Sequence, residues 1–188
     1  MGGRGRGCWR AGYGGAGPGY LGYGFELVVR LGEVCGVGAV VQTVDALLHG
    51  RRFRRLTPHE AAFAKTHVPP GVLAKAYVDE RSRVARWLRI AFVLGDVIKV
   101  GHPASRPLLV HELAHVGQYH RWGWAYVAKA LHAQHFGAGY AYARGSPVER
   151  LNAEQEAAHA EDAARVRLGW PARWARAPTF ARPQSPSP

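Results

Sequence analysis

The sequence predicts a helix-dominated α+β domain, with a small sheet packed on one central helix and disordered termini on either side. Three observations predict it. Helix-start signals recur: Thr57-Pro58 with Glu60, and Ser146-Pro147 with Glu149, each combine a capping hydroxyl, a proline at the first helical position and an acid three residues after the cap. Two short apolar runs, residues 89–94 and 96–100, read as extended segments on either side of Gly95. The stretch LLVHELAHVGQYH, residues 108–120, has the apolar lead-in and four-residue histidine spacing of a helix with one functional face.

In chain order, residues 1–24 hold eleven glycines, three arginines and three tyrosines. Such a segment cannot bury enough apolar area to offset its backbone entropy, so a disordered leader is expected. Residues 25–56 form a lead-in with one helix near residues 39–48, ended by Gly50. The basic run 51–55 reads as a solvated link. A helix follows from Pro58 to about Thr66, then a break at Pro69-Pro70. Strand pieces between Tyr77 and Val100 supply the sheet, and Pro107 opens the HExxH helix.

A second amphipathic helix over residues 122–135 should bury Val127, Ala130 and Leu131. Residues 136–147 are glycine-rich and read as loop. The Ser146 cap launches a last helix to about Leu168, closed by Gly169. The main domain is therefore residues 57–168, and the proline-rich tail 169–188 should be extended or disordered.

Composition narrows the function classes. The chain has 188 residues and 47% apolar residues, enough for one domain with a core. Its formal charge is +12, from 25 Lys+Arg against 13 Asp+Glu. That surface suits nucleic acid, anionic lipid or an acidic partner without choosing among them. Cys8 and Cys35 form neither a disulfide framework nor a metal knuckle, which points to a reducing compartment. No apolar segment follows the basic N-terminus, and the longest charge-free run there, residues 34–44, is too short for a bilayer. The expectation is a cytoplasmic protein without a membrane span.

The chemistry concentrates at residues 111–115. His111 and His115 lie about 40° apart around a helix and one turn along it, so both imidazoles can face one cation. Glu112 is rotated by about 100°, beside the ion rather than on it. This HExxH arrangement suits Zn2+, which activates a water while Glu112 serves as general base. The bare pattern arises by chance in roughly 2–3% of chains of this composition, so its setting matters. A strand at residues 96–100 lies just upstream, where an edge strand could pair with substrate backbone.

A third ligand is required if one position stays open. Gln118 and Arg121 occupy the slots that metzincins fill with glycine and histidine, which excludes that class. His120 points about 140° away from His115. The candidates lie downstream in LNAEQEAAHAEDAA: Glu154 or Glu156 as ligand, with Glu161 and Asp162 as acceptors behind the ligating rings. Gln118 returns to the ligand face. Tyr119, His120, Tyr140 and Tyr142 could donate to a developing oxyanion. The remaining histidines read as structural.

LTPHE at 56–60, AFVLGDVIKV, LLVHELAHVGQYHRWGWAYVAKALHAQ, GAGYAYA and LNAEQEAAHAEDAA, in that order, resemble the zincin-like metallopeptidase domain encoded near bacterial contractile injection systems and toxin cassettes. The resemblance covers residues 55–168. It implies a gluzincin-type zinc peptidase acting on a peptide or protein, an injection-system or toxin partner, and export by a non-Sec route. Family members carry asparagine, any residue, glutamate, glutamine after HExxH, which falls on residues 152–155 and promotes Glu154 as the third ligand. Two positions depart from the pattern: Gly117 replaces a tryptophan, leaving a gap beside the metal helix, and Ala141 replaces an aspartate.

Two other classes of function are open at this level. A zinc-stabilised adaptor or cargo domain without turnover would close its metal with a fourth ligand, His159 or Asp162. A nucleic-acid binder would use the arginine surface and the leader, with Tyr13, Tyr20 and Tyr23 stacking on bases.

Overall fold

The computed structural model describes residues 53–177. The expectations placed on the leader, on the helix at residues 39–48, on both cysteines and on residues 178–188 lie outside those residues. The described chain is mixed α+β, with about half its residues helical and a small sheet.

Strand β1 (Arg54–Arg55) leads into α1 (Pro58–Ala64), whose Thr57–Glu60 capping box is present in both directions. Helix α2 (Pro70–Lys75) starts on the proline pair expected to be a break, because proline at the first helical position forfeits no bond. Strand β2 (Tyr77–Asp79) is followed by α3 (Arg83–Leu88), capped by Ser82, a helix within the segment expected to supply only strand pieces. The two extended runs expected around Gly95 are strands β3 (Phe92–Leu94) and β4 (Val97–Lys99), which pair as an antiparallel hairpin. Gly95 has φ 65°, the left-handed conformation that a two-residue hairpin turn demands at its first position.

The sheet order is β1-β2-β4-β3, with β2 and β4 parallel and the outer pairs antiparallel. The strand at residues 97–99 is therefore interior; the edges are β1 and β3, and β3 is the one that borders the cleft. Arg54 and Arg55 are not a solvated link. They pair with Val78 and Tyr77, and Arg54 bridges Glu60 at 2.7 Å and Glu80 at 2.5 Å.

Helix α4 (Arg106–Trp122) begins one residue before the expected Pro107, because the Ser105 hydroxyl caps it. It ends at Gly123, which has φ 58°. Leu109, Val110, Leu113 and Val116 bury against Ile98, Val78 and Ala64. Helix α5 (Ala125–Phe136) buries Ala130, as expected, with Tyr126 and Ala128, but Leu131 is 38% exposed. An apolar side chain facing a cleft gives the same periodicity as one facing the core.

Strand β5 (Tyr142–Ala143) pairs in parallel with β6 (Ala175–Arg176), so the fold continues beyond residue 168. Helix α6 (Ala153–Arg167) does not start at Ser146. Pro147 is extended, Val148–Arg150 make a single 3-10 turn, and the cap is Asn152, with a reciprocal Gln155 box. Ala153, Ala157, Ala158 and Ala164 are buried, and these short side chains let α6 lie close to α4. No helix among the described residues is long and apolar enough to cross a membrane.

Candidate metal centre

His111 and His115 project from the face of α4 that meets the first turn of α6, and both are buried. Asn152 and Gln155 cap that turn reciprocally, and Gln155 also donates to the Ala141 carbonyl at 2.6 Å. Between the two capping residues stands Glu154, 1% exposed. The Asn-x-Glu-Gln block thus has a physical meaning: its outer residues fix where the helix begins, and the glutamate between them faces the histidine pair.

The distances decide what this cluster is suited to hold. Glu154 Oε2 lies 3.6 Å from His111 Nε2 and 3.5 Å from His115 Nε2. One ligand atom from each of the three residues falls within 4.8 Å of the others. A charge-assisted hydrogen bond would bring N and O to about 2.7–2.9 Å. Bonds of about 2.0–2.1 Å in a tetrahedral zinc site place donors about 3.3–3.4 Å apart. The two edges from Glu154, 3.5 and 3.6 Å, lie nearer the second figure than the first. Glu154 Oε2 is buried and has no hydrogen-bond partner, so the donor set fits a divalent cation that would use it.

A second layer orients the rings. Gln118 is fully buried, and its Oε1 sits 2.8 Å from His115 Nδ1. That contact keeps the proton on Nδ1 and the lone pair of Nε2 toward the cluster. Gln118 is held in turn by donating to the Ala153 carbonyl at 2.8 Å and to Glu156 at 3.1 Å. Glu161 Oε2 lies 3.3 Å from His111 Nδ1, off the line of a hydrogen bond, and accepts from the Trp174 indole at 2.9 Å. Gln134 donates to Glu154 Oε1 at 2.9 Å and to the Tyr140 hydroxyl at 2.8 Å.

The electrostatics follow from burial and crowding. Burial pushes the His111 imidazole down, but the carboxylates of Glu154, Glu161 and Glu112 outweigh it and hold its pKa up at about 10. Burial pushes Glu154 up, and the two imidazoles outweigh that and hold it at about 2. Glu112 moves the other way: burial raises its carboxyl pKa despite the neighbouring histidines. Tyr140 is pushed up to about 12 by burial and by Glu154 and Glu112.

Other expected residues go elsewhere. Glu156 faces Gln118 and Arg121, with Arg121 at 2.6 Å, and is not in the cluster. Asp162 accepts from the backbone N–H groups of Arg173, Trp174 and Ala175, and from the Tyr142 hydroxyl at 3.0 Å. Tyr142 is thereby committed to Asp162, while Tyr140 lines the cleft beside the cluster. His120 lies 2.7 Å from Asp96 in the hairpin turn, and Tyr119 packs edge-on against Trp124 and Tyr126. His159 stacks edge-on against Tyr142. Among the described residues, neither His159 nor Asp162 joins the three-residue cluster as a fourth ligand.

Sequence reasoning missed Gln134, Trp174 and Tyr126. Gln134 was findable, since Val127, Leu131 and Gln134 follow the i, i+4, i+7 spacing of one helix face. Trp174 was not, because nothing local ties the tail to α6. The gap expected at Gly117 is present: a cavity of about 550 Å3 lies along α4, lined by Gly117, Ala114, Ala160 and Val72.

The cluster opens onto a separate cleft of about 370 Å3 between β3, α4 and α5, lined by His111, Glu112, His115 and Glu154. Comparison with known protein families, with curated proteins and with solved structures returns no match.

Proposed function

We propose that the chain is a zinc-dependent metallopeptidase of zincin type. The carrying observation is the buried His111–His115–Glu154 cluster at zinc-like spacing, opening onto a cleft that also holds Glu112. When bound, zinc supplies Lewis acidity toward water and toward a peptide carbonyl.

The rest is done by side chains. Glu112 sits one residue from the first ligand, with its Oε2 buried and without a partner. Burial raises its pKa, which makes its carboxylate a stronger base than an exposed glutamate. It takes the proton of a water as the water oxygen adds to the carbonyl carbon. It then passes that proton to the leaving amine nitrogen as the C–N bond breaks. The Tyr140 hydroxyl accepts from Gln134 and keeps its own proton, being raised to about 12, so it can donate to the oxygen that gains charge.

Zinc-loaded wild type and Glu112→Gln, incubated with a mixed peptide library and read by mass spectrometry, test this reading. Cleavage by wild type is expected, with loss of it in Glu112→Gln at unchanged zinc content. An intact library with zinc-loaded wild type, or equal cleavage by the variant, defeats it. Tyr140→Phe is expected to lower kcat/KM by roughly a hundredfold with zinc retained. An unchanged value removes Tyr140 from the mechanism.

A further inference from the structure

The cleft beside the cluster differs in character from the rest of the molecule. Although the chain carries 25 Lys+Arg, among the described residues no lysine, arginine or aspartate lines it. Its charged or titrating groups are those of the metal cluster and Glu112, with Tyr126 and Tyr140 at the wall. The remainder is mostly apolar: Phe92 and Leu94 from β3, Trp124 at the N-cap of α5, and Val127 and Leu131 from α5 itself. Ile90, 54% exposed, and Leu131, 38% exposed, leave the lip apolar as well as the interior. Exposed aliphatic groups around a polar centre mark a binding surface.

Edge strand β3 offers little by backbone pairing. The two-residue turn at Gly95-Asp96 makes Leu94 and Val97 the hydrogen-bonded pair, as the register shows. Val93, one residue back, therefore turns both its N–H and its C=O away from β4. The Tyr126 hydroxyl already donates to that Val93 carbonyl. In a strand of three residues this leaves the Val93 N–H as the one outward group for an added chain.

Resting on the peptidase reading, we infer that recognition falls to side chains. The cleft takes a bulky apolar residue at the cleaved bond, with Leu131, Leu94, Phe92 and Val127 as its specificity determinants. The substrate class is a peptide or protein segment with an uncharged aliphatic or aromatic side chain there, recognised through that residue more than through an extended strand.

Amino-acid hydroxamates test this without turnover, because the hydroxamate chelates an open metal position while the side chain samples the cleft. On the zinc-loaded full chain, titration calorimetry should show leucine hydroxamate binding roughly tenfold or more tighter than glycine hydroxamate. Lysine hydroxamate should bind no tighter than glycine hydroxamate. Leu131→Asp, at a partly exposed position, should reduce the leucine preference below about threefold with glycine hydroxamate still bound. Extending the leucine compound to a tetrapeptide hydroxamate should add less than about threefold.

Equal affinity for the leucine and glycine compounds, or a preference for lysine, overturns the inference while leaving the open metal site standing. A hundredfold gain from the tetrapeptide extension also overturns it, by showing that strand pairing carries recognition. Failure of every hydroxamate to bind with zinc in place overturns the peptidase reading itself.

Discussion

Of the three buried acids on helix α6, Asp162 and Glu154 have surroundings that could hardly differ more. Asp162 is satisfied: its oxygens accept three backbone N–H groups and one tyrosine hydroxyl. Glu154, two turns earlier, keeps one buried oxygen without a partner, and Glu112 Oε2 and His111 Nδ1 across from it are also unbonded. Burying a polar atom without a partner costs about 1–3 kcal/mol, more when it is charged. A fold that ties down Asp162 completely and leaves three such atoms in one cluster has a use for the second arrangement. Two more such atoms, His67 Nε2 and Asp96 Oδ1, stand apart from one another among the described residues, so it is the gathering of three in one place that marks the site.

If that contrast is right, variants on the two sides should fail differently. Glu154→Ala or His111→Ala removes one of three ligands and should weaken zinc binding on the order of a thousandfold, read by competition with a chromophoric chelator. Affinity unchanged in Glu154→Ala would merge the two regions into one structural class. Asp162→Ala should cost about 3 kcal/mol of folding stability in urea, because it strands the N–H groups of Arg173, Trp174 and Ala175. Its zinc stoichiometry per folded molecule should not change. A larger effect on zinc than on folding would reverse the assignment.

Gln118→Ala and Glu161→Ala, which act through the ligand rings, should weaken zinc roughly ten- to a hundredfold. Acidity sharpens the contrast further. His111, raised from its ordinary 6.5 to about 10 in the metal-free site, keeps a proton that zinc must displace. The stability this proton lends the metal-free fold is complete below pH 6.5 and disappears as pH climbs through 10. Zinc affinity should therefore rise about tenfold per pH unit between 7 and 8, and a flat profile would contradict the cluster's electrostatics. The smallest effect belongs to neither acid. Gly117→Ala adds a Cβ that meets Val72 at 3.6 Å, ordinary contact, and should stabilise α4 by about 0.5–1 kcal/mol.

How much was legible in the sequence follows from the range of each signal. The positions of His111, Glu112 and His115 came from helical period alone, and α4 carries them as expected. The third ligand did not, because spacing left Glu154 and Glu156 open and only the family resemblance separated them. The start of α6 was misplaced because two capping patterns compete, and tertiary contact to Ala141 favours Asn152. Leu131 was read as core because a cleft wall and a core face share one periodicity. Strands β1 and β6, two residues each, have no period to read. Trp174 reaches Glu161 across the fold, a pairing no local pattern encodes.

Zinc content of the purified chain, measured by plasma mass spectrometry after incubation with excess zinc and dialysis, bears most directly on the account. It predicts about one zinc per chain in wild type and in Glu112→Gln, and less than about a tenth of that in Glu154→Ala. No bound zinc in wild type, or a full equivalent in Glu154→Ala, would contradict it.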